Sequence, residues 1–146
     1  MHPDIHMKIE AGWEAMLRRD LTEAERIFAS AAEASPETVD AWNGLGAIHF
    51  ERSEIEESLK CYVRAAEAAK KSYGGKFSAR LSWTSEDKPA LRALHGIALN
   101  RLRAGDFDGA VKAFEELLER NPDDNQGAHF LLADARKKKK LWKKDV

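Results

Sequence analysis

The chain has 146 residues, of which 43% are hydrophobic and 34% are charged. This mixture is typical of a globular domain and argues against disorder along most of its length. No apolar run approaches the roughly 18 residues that a membrane-spanning helix needs. Cys61 is the only cysteine, which excludes an internal disulfide, so we expect a reducing, cytoplasmic location.

The net charge of −1 hides an uneven distribution. Residues 136–146 carry seven Lys or Arg and one acid, whereas residues 1–135 carry 17 Lys or Arg and 24 Asp or Glu. The body of the protein is therefore acidic, with a net charge of −7, and its C-terminal tail is basic.

Apolar residues recur at helical spacing along nearly the whole chain, which predicts seven amphipathic helices. In chain order they span about 4–18, 22–34, 38–51, 55–73, 87–103, 107–120 and 124–141. Asp20, Ser53 and Asp106 fall between paired helices, where N-capping side chains belong. Gly74 and Gly75 are expected to end the fourth helix.

The sequence repeats itself at a spacing of 34 residues. Gly12 matches Gly46, and Phe28 matches Tyr62, which in turn matches Phe114 at a spacing of 52. An insertion of 18 residues therefore separates the second and third copies. Small residues such as Gly12 and Gly46 let two helix backbones approach closely, and large aromatic residues fill the space beside them.

These positions resemble the tetratricopeptide repeat (TPR), whose pattern reads W-x2-L-G-x2-Y, then A-x3-F, then P. The first element is matched by Trp42-x2-Leu45-Gly46-x2-His49, with His in place of Tyr. The later elements are matched by Ala24-x3-Phe28, Ala110-x3-Phe114, Pro36 and Pro122.

The resemblance implies an all-α fold, a right-handed superhelix of antiparallel helix pairs with about seven helices. We expect one domain over residues 1–146. Its parts are repeats at about 5–38, 39–72 and 91–124, the insertion 73–90, and a capping helix with the basic tail at 125–146.

In this family the first helix of each pair lines a concave groove that binds a peptide or partner protein. Carried onto this sequence, the resemblance predicts the following groove residues: Ile9, Trp13, Met16, Asn43, Ala47, Phe50, Arg92, His95, Leu99, Gln126 and His129. Apolar residues at one end and Arg92, Arg136 and Lys137 at the other would suit a peptide with an apolar anchor and an acidic end.

Chaperone-binding members of the family hold a C-terminal carboxylate with a clamp of Lys, Asn and Arg. The corresponding positions here are occupied by Ile9, Trp13, Gly44, Arg92 and Gly96. Only Arg92 has a suitable side chain, so a chaperone tail is not the expected ligand.

The insertion contains two aromatic residues, Phe77 and Trp83. Loops of this length in a compact repeat array are often functional. Two interpretations stay open: these rings pack back onto the repeats, or they form a secondary surface for binding or dimerisation. Thr84 or Ser85 is expected to cap the next helix, with Asp87 completing a capping box with Thr84.

The predicted function is a non-catalytic protein–protein interaction module without cofactor, metal or small-molecule substrate. Of the five histidines, His95 and His129 occupy equivalent helix positions, but without nearby Cys or obvious carboxylate partners they make a poor zinc site. One alternative is a self-assembling module, for example a homodimer, built through the first helix or the insertion. Another is a nucleic-acid or membrane-surface binder acting through the basic tail, although those lysines also suit the C-terminus of a helix.

Overall fold

The computed structural model describes residues 3–77 and 80–145, and within them it contains seven helices and no strand. The helices are α1 (Pro3–Leu17), α2 (Leu21–Ala34), α3 (Val39–Glu51), α4 (Ile55–Ser72), α5 (Lys88–Arg103), α6 (Phe107–Arg120) and α7 (Ala128–Asp145). The predicted all-α fold is confirmed, and six helices begin within one residue of the predicted position. None of the described helices is both long enough and apolar enough to cross a bilayer.

The helices form consecutive antiparallel pairs, α1 with α2, α3 with α4, and α5 with α6. Each second helix also packs against the next first helix, and α1, α3 and α5 contact one another in sequence. This arrangement stacks the pairs into a helical-repeat superhelix, and α7 packs on α6 at its end.

Aromatic residues on second helices lie between two glycines on first helices. A Cβ atom at Gly12 or at Gly44 would approach the Phe28 ring to within 2.6 Å or 2.5 Å. Tyr62 has the same relation to Gly46 and Gly96, at 2.8 Å and 2.5 Å. Gly44 and Gly96 therefore face the joint between repeats, which excludes them from the groove positions that the family resemblance assigned.

A buried polar network connects the second and third repeats. The Asn100 side chain, which is fully buried, donates to Ser58 Oγ at 2.9 Å and to the Gly96 carbonyl at 2.9 Å. Ser58 Oγ donates in turn to the Gly46 carbonyl at 2.7 Å. These bonds compensate for the desolvation of the Asn100 NH2 group, the Ser58 hydroxyl and the two glycine carbonyls, whereas Asn100 Oδ1 is buried without a partner among the described residues.

Two of the three predicted N-caps are present. The Asp20 carboxylate accepts from the Glu23 N–H at 3.1 Å, and the Asp106 carboxylate accepts from the Gly109 N–H at 3.0 Å. Each bond satisfies an N–H group that has no partner within its own helix.

The prediction that Ser53 caps α4 is wrong. Ser53 has a φ of 62°, the left-handed conformation that Arg19 and Gly105 adopt at the equivalent turns. The N-cap position falls on Glu54, whose side chain makes no capping hydrogen bond. The repeat thus places the left-handed residue one position before the cap.

Helix α7 begins four residues later than predicted, because a non-helical turn takes the place of the first four predicted helical residues. Asp124 and Gly127 have positive φ angles of 49° and 70°, which interrupt a helix. Asp124 lies before the start of α7, and its carboxylate accepts from the first two N–H groups of the helix, those of Ala128 at 2.6 Å and His129 at 3.1 Å. Gln126 therefore lies in a turn, which corrects its predicted place in the capping helix.

Candidate binding site

The insertion between α4 and α5 packs onto the repeats. Gly74 and Gly75 end α4 with φ angles of 80° and 107°, as predicted. Phe77 and Leu81 are then buried in the core formed with α5, α6 and α7, and the Leu81 N–H donates to the Arg120 carbonyl at 2.8 Å. Phe77 is thus unavailable as a secondary surface.

Trp83 is the insertion's half-exposed aromatic residue. It packs against the same core, and the Lys88 ammonium lies 5.3 Å from the centroid of its ring. Phe77 and Trp83 were both candidates for a secondary surface, and of the two only the Trp83 ring is partly accessible to a partner.

Asp87 fixes the ends of the insertion to each other. Its carboxylate accepts from the Tyr73 hydroxyl at one end and from the Ser82 N–H, at 2.9 Å, near the other. Burial, together with the Asp87 carboxylate, raises the pKa of Tyr73 to about 12, so this phenol keeps its proton. Half of the predicted capping box is present, because the Asp87 N–H donates to Thr84 Oγ1 at 3.3 Å.

A cavity of about 770 Å³ opens beside this insertion, at the N-terminal ends of α1, α3 and α5. Its volume lies in the range of ligand-binding sites. Apolar lining comes from Ile5, Ala34, Val39, Ala69, Pro89 and Ala90. Charged lining comes from Asp4, Lys8, Glu37, Asp40 and Glu86. The remaining lining is hydroxylic, from Ser35, Thr38, Ser72, Tyr73 and Ser85.

The turn between α2 and α3 supplies an ordered polar wall of this cavity. Thr38 Oγ1 donates to Ser35 Oγ at 2.9 Å, and Ser35 Oγ donates to the Glu37 carboxylate at 2.8 Å. The hydroxyl of Ser35, together with the backbone N–H of Glu37 itself, lowers the pKa of the Glu37 carboxyl.

Arg92 crosses the face formed by the first helices. Its guanidinium lies 3.0 Å from the Asp40 carboxylate and 5.6 Å from the centroid of the Trp13 ring. Trp13 in turn contacts Phe28 edge-on, with the ring centroids 5.0 Å apart. One side chain of the third repeat thus contacts the first two, and Arg92 is not the free basic group that the sequence suggested.

Several predicted groove residues are not accessible. Ile9 and Asn43 are 6% and 1% exposed. The Asn43 amide donates to Asp40 and to the Pro89 carbonyl, both at 2.9 Å, so it supports the cavity wall from behind. His95 is half-buried, and its ring lies edge-on against Phe114. Burial lowers the pKa of His95, an effect that the nearby Asp124 opposes.

Other predicted groove residues keep part of their surface. Half-buried positions are held by Trp13, Met16, Ala47, Phe50 and Leu99. The Arg103 guanidinium covers the Phe50 ring at 4.6 Å. His129 is exposed and stacks on Phe130, and Gln126 donates to the Leu91 carbonyl at 3.2 Å. None of the predicted groove residues lines the 770 Å³ cavity.

The thiol of Cys61 is half-buried on α4. Burial and the nearby Glu57 raise the pKa of Cys61 to about 11, so the thiol stays protonated at neutral pH. No group of three or more His, Cys, Asp or Glu side chains in the described residues could hold a metal ion.

The basic tail continues α7 and is partly neutralised. Lys139 pairs with Asp108 at 2.8 Å, Lys138 with Asp134 at 3.0 Å, and Arg136 with Glu115 at 3.6 Å. Leu141 and Trp142 remain exposed on the same helix. The tail is thus attached to the repeats through α6 as well as through its own helix.

Stacked antiparallel helix pairs with a cavity at the N-terminal ends of the first helices define a helical-repeat protein of the kind that generally mediates protein interactions. A sequence model described as "Tetratricopeptide repeat" matches residues 9–73 and 95–141, and the chain therefore belongs to the tetratricopeptide repeat family.

No curated protein matches the sequence significantly. Among solved structures, 33 chains match. One of them is the crystal structure of MamA protein, which is 17% identical with a TM-score of 0.42, over 96% of this chain and 90% of that one.

Proposed function

We propose that this chain is a non-catalytic interaction module that binds an extended segment of a partner protein, and that the segment enters the cavity beside the insertion. The observation that carries the proposal is the cavity itself. Three repeats and the insertion all contribute to its walls, so it exists only in the assembled superhelix.

The lining suits a peptide more than a compact small molecule. Apolar side chains such as Ile5, Val39 and Pro89 offer a floor for an aliphatic group, and Ser85 offers its hydroxyl to a peptide backbone. Ser72 Oγ donates to the Ala69 carbonyl at 2.7 Å and can accept from a peptide N–H. Beyond the cavity, the partly exposed residues of the first helices, including Trp13, Met16 and Phe50, extend the binding face.

Blocking the cavity tests this proposal. Peptides selected from a random display library on the folded chain are measured by fluorescence anisotropy against two variants, Ser85→Trp and Ser82→Trp. Both residues are exposed on the insertion, but only Ser85 lines the cavity. We expect Ser85→Trp to abolish binding and Ser82→Trp to retain it.

Two results count against the proposal. If the two variants bind the peptide equally, the peptide binds outside the cavity. If the selection enriches no peptide, the chain does not bind peptides and the proposal is wrong. Circular dichroism of each variant shows whether its helices are intact, so a loss of binding is assigned to the cavity only in a folded protein.

Self-association is a second candidate function, favoured by the first helix. Met7 and Leu17 on α1 are 66% and 84% exposed, so α1 offers two large apolar side chains to a second copy. Light scattering across a hundredfold concentration range tests it. A dimer that Met7→Lys with Leu17→Lys dissociates supports this candidate, and a monomer throughout removes it.

A further inference from the structure

The charge of the cavity indicates the chemistry of its ligand, provided that the proposed peptide binding holds. Among the described residues that line it are four carboxylates and one ammonium group, a side-chain charge of −3, and Arg92 beside the lining offsets the charge of Asp40. Lys8, which supplies that ammonium group, directs it to Ser30 Oγ on α2 at 3.0 Å, and Ser30 lies outside the cavity.

The backbone does not cancel this charge. The N-terminal ends of α1, α3 and α5 border the cavity and each contributes about half a positive charge, but the C-terminal ends of α2 and α4 border it too and contribute the opposite sign. What remains is close to half a positive charge, well below the charge of the carboxylates.

Two of the carboxylates retain capacity for a ligand. Asp40 is already shared between Arg92 and Asn43. The Glu37 carboxylate accepts from the Ser35 hydroxyl and from its own backbone N–H and has no cationic partner, and Glu86 has no hydrogen bond or ion pair with any described residue. Glu37 and Glu86 are both exposed, and they stand on different walls, the turn between α2 and α3 and the insertion.

The wall that carries Glu86 is held in place. Asp87, the next residue, accepts from the Tyr73 hydroxyl and from the Ser82 N–H, and Phe77 and Leu81 are buried beneath the insertion. Tyr73, Ser85, Glu86 and Pro89 of the insertion thus form one side of the cavity, and Glu86 places a carboxylate on it.

We infer that the cavity receives a Lys or Arg side chain of the bound peptide. The aliphatic stem packs on Ile5, Val39 and Pro89, and the cationic head lies among the carboxylates of Glu37 and Glu86. This assigns a basic segment as the partner, the reverse of the acidic end that the sequence suggested.

A random 12-residue peptide library displayed on phage and selected on the folded wild-type chain tests the inference through the charge of the enriched peptides. We expect Lys and Arg to be enriched and Asp and Glu to be depleted. The tightest peptide should bind the Glu37→Gln, Glu86→Gln double variant about tenfold more weakly at low salt. The control variant Glu33→Gln, Glu119→Gln removes the same two charges from exposed sites on α2 and α6, outside the cavity, and should bind as the wild type does.

Each outcome has a separate meaning. Enriched peptides without a basic bias overturn this inference and leave the proposed peptide binding in place. Basic peptides that bind the double variant as tightly as the wild type overturn the assignment of Glu37 and Glu86. A selection that enriches nothing contradicts both the inference and the proposed function.

Discussion

The guanidinium of Arg92 lies 5.6 Å from the centroid of the Trp13 ring, although the two residues belong to the third and first repeats. Helix α3 of the second repeat lies between these two repeats. Its residue Gly44, which has no side chain, is buried against the Phe28 ring. Arg92 therefore makes a contact between repeats that are not adjacent. Its guanidinium also pairs with the Asp40 carboxylate of the second repeat.

Removing the Arg92 side chain should destabilise the protein modestly. Arg92→Ala loses a partly exposed ion pair and a cation–π contact, and we expect the free energy of unfolding to fall by about 1 kcal/mol. Urea denaturation measures this change. Arg101→Ala on the same helix is the control, since Arg101 has no side-chain partner among the described residues. Equal stability of the two variants would contradict the contact.

Gly44→Ala tests the close approach of helices at the joint between repeats. In an open helix this change stabilises by about 1 kcal/mol, but here the new Cβ would lie 2.5 Å from the Phe28 ring. We expect overpacking to dominate and the unfolding free energy to fall by about 1–3 kcal/mol.

A double variant separates this clash from a general helix effect. Phe28→Leu alone should also destabilise, because the Phe28 ring is fully buried. Combined with Gly44→Ala it should cost less than the sum of the two single changes, since the smaller side chain makes room for the methyl group. Additive costs would show that the two residues do not share one space.

The burial of His95 predicts a loss of stability in mild acid. Its pKa in the folded chain lies below the ordinary value of 6.5. From about pH 6.5 down to that lowered pKa, the unfolded chain binds a proton at this position that the folded chain does not. The free energy of unfolding therefore falls as the pH decreases through this window.

The His95→Gln variant should show a shallower decline between pH 7.5 and pH 5.5 in urea denaturation. His129→Gln, which changes an exposed histidine of α7, should decline as the wild type does. If wild type and His95→Gln lose stability in parallel, burial of His95 does not govern the acid response.

Cys61 should react slowly in the folded chain. A pKa of about 11, against an ordinary value of 9.0, leaves about 100-fold less thiolate at pH 8. Alkylation by iodoacetamide, followed by mass spectrometry, should be slower by this order in buffer than in concentrated urea. Matching rates would mean that the thiol is not desolvated by the fold.

The fold was largely predictable because periodic signals determine it. Each repeat needs a large aromatic side chain at the same position, and the sequence supplies Phe28, Tyr62 and Phe114. Because the same packing recurs, identifying one repeat helps to identify the next. The second glycine of each joint, Gly44 or Gly96, was assigned to the wrong face because its role depends on a ring in the preceding repeat.

The site was less predictable because it lies where the repeat pattern is broken. The cavity depends on the insertion, whose path follows from the Tyr73–Asp87 contact and the burial of Phe77, and neither recurs along the chain. The length of the insertion was the signal in the sequence that indicated a functional segment here. Buried Asn43 shows a further limit, since a polar residue at a groove position can support a wall from behind.

Mapping the bound peptide by NMR tests the central claim, that the cavity beside the insertion is the binding site. The ¹⁵N-labelled chain is titrated with the tightest selected peptide, and backbone amide shifts are followed. The account predicts that the largest shifts occur at Ser35, Glu37, Thr38, Ser85 and Glu86. Shifts confined to α7, or to the outer helices α2 and α6 away from the cavity, would contradict it.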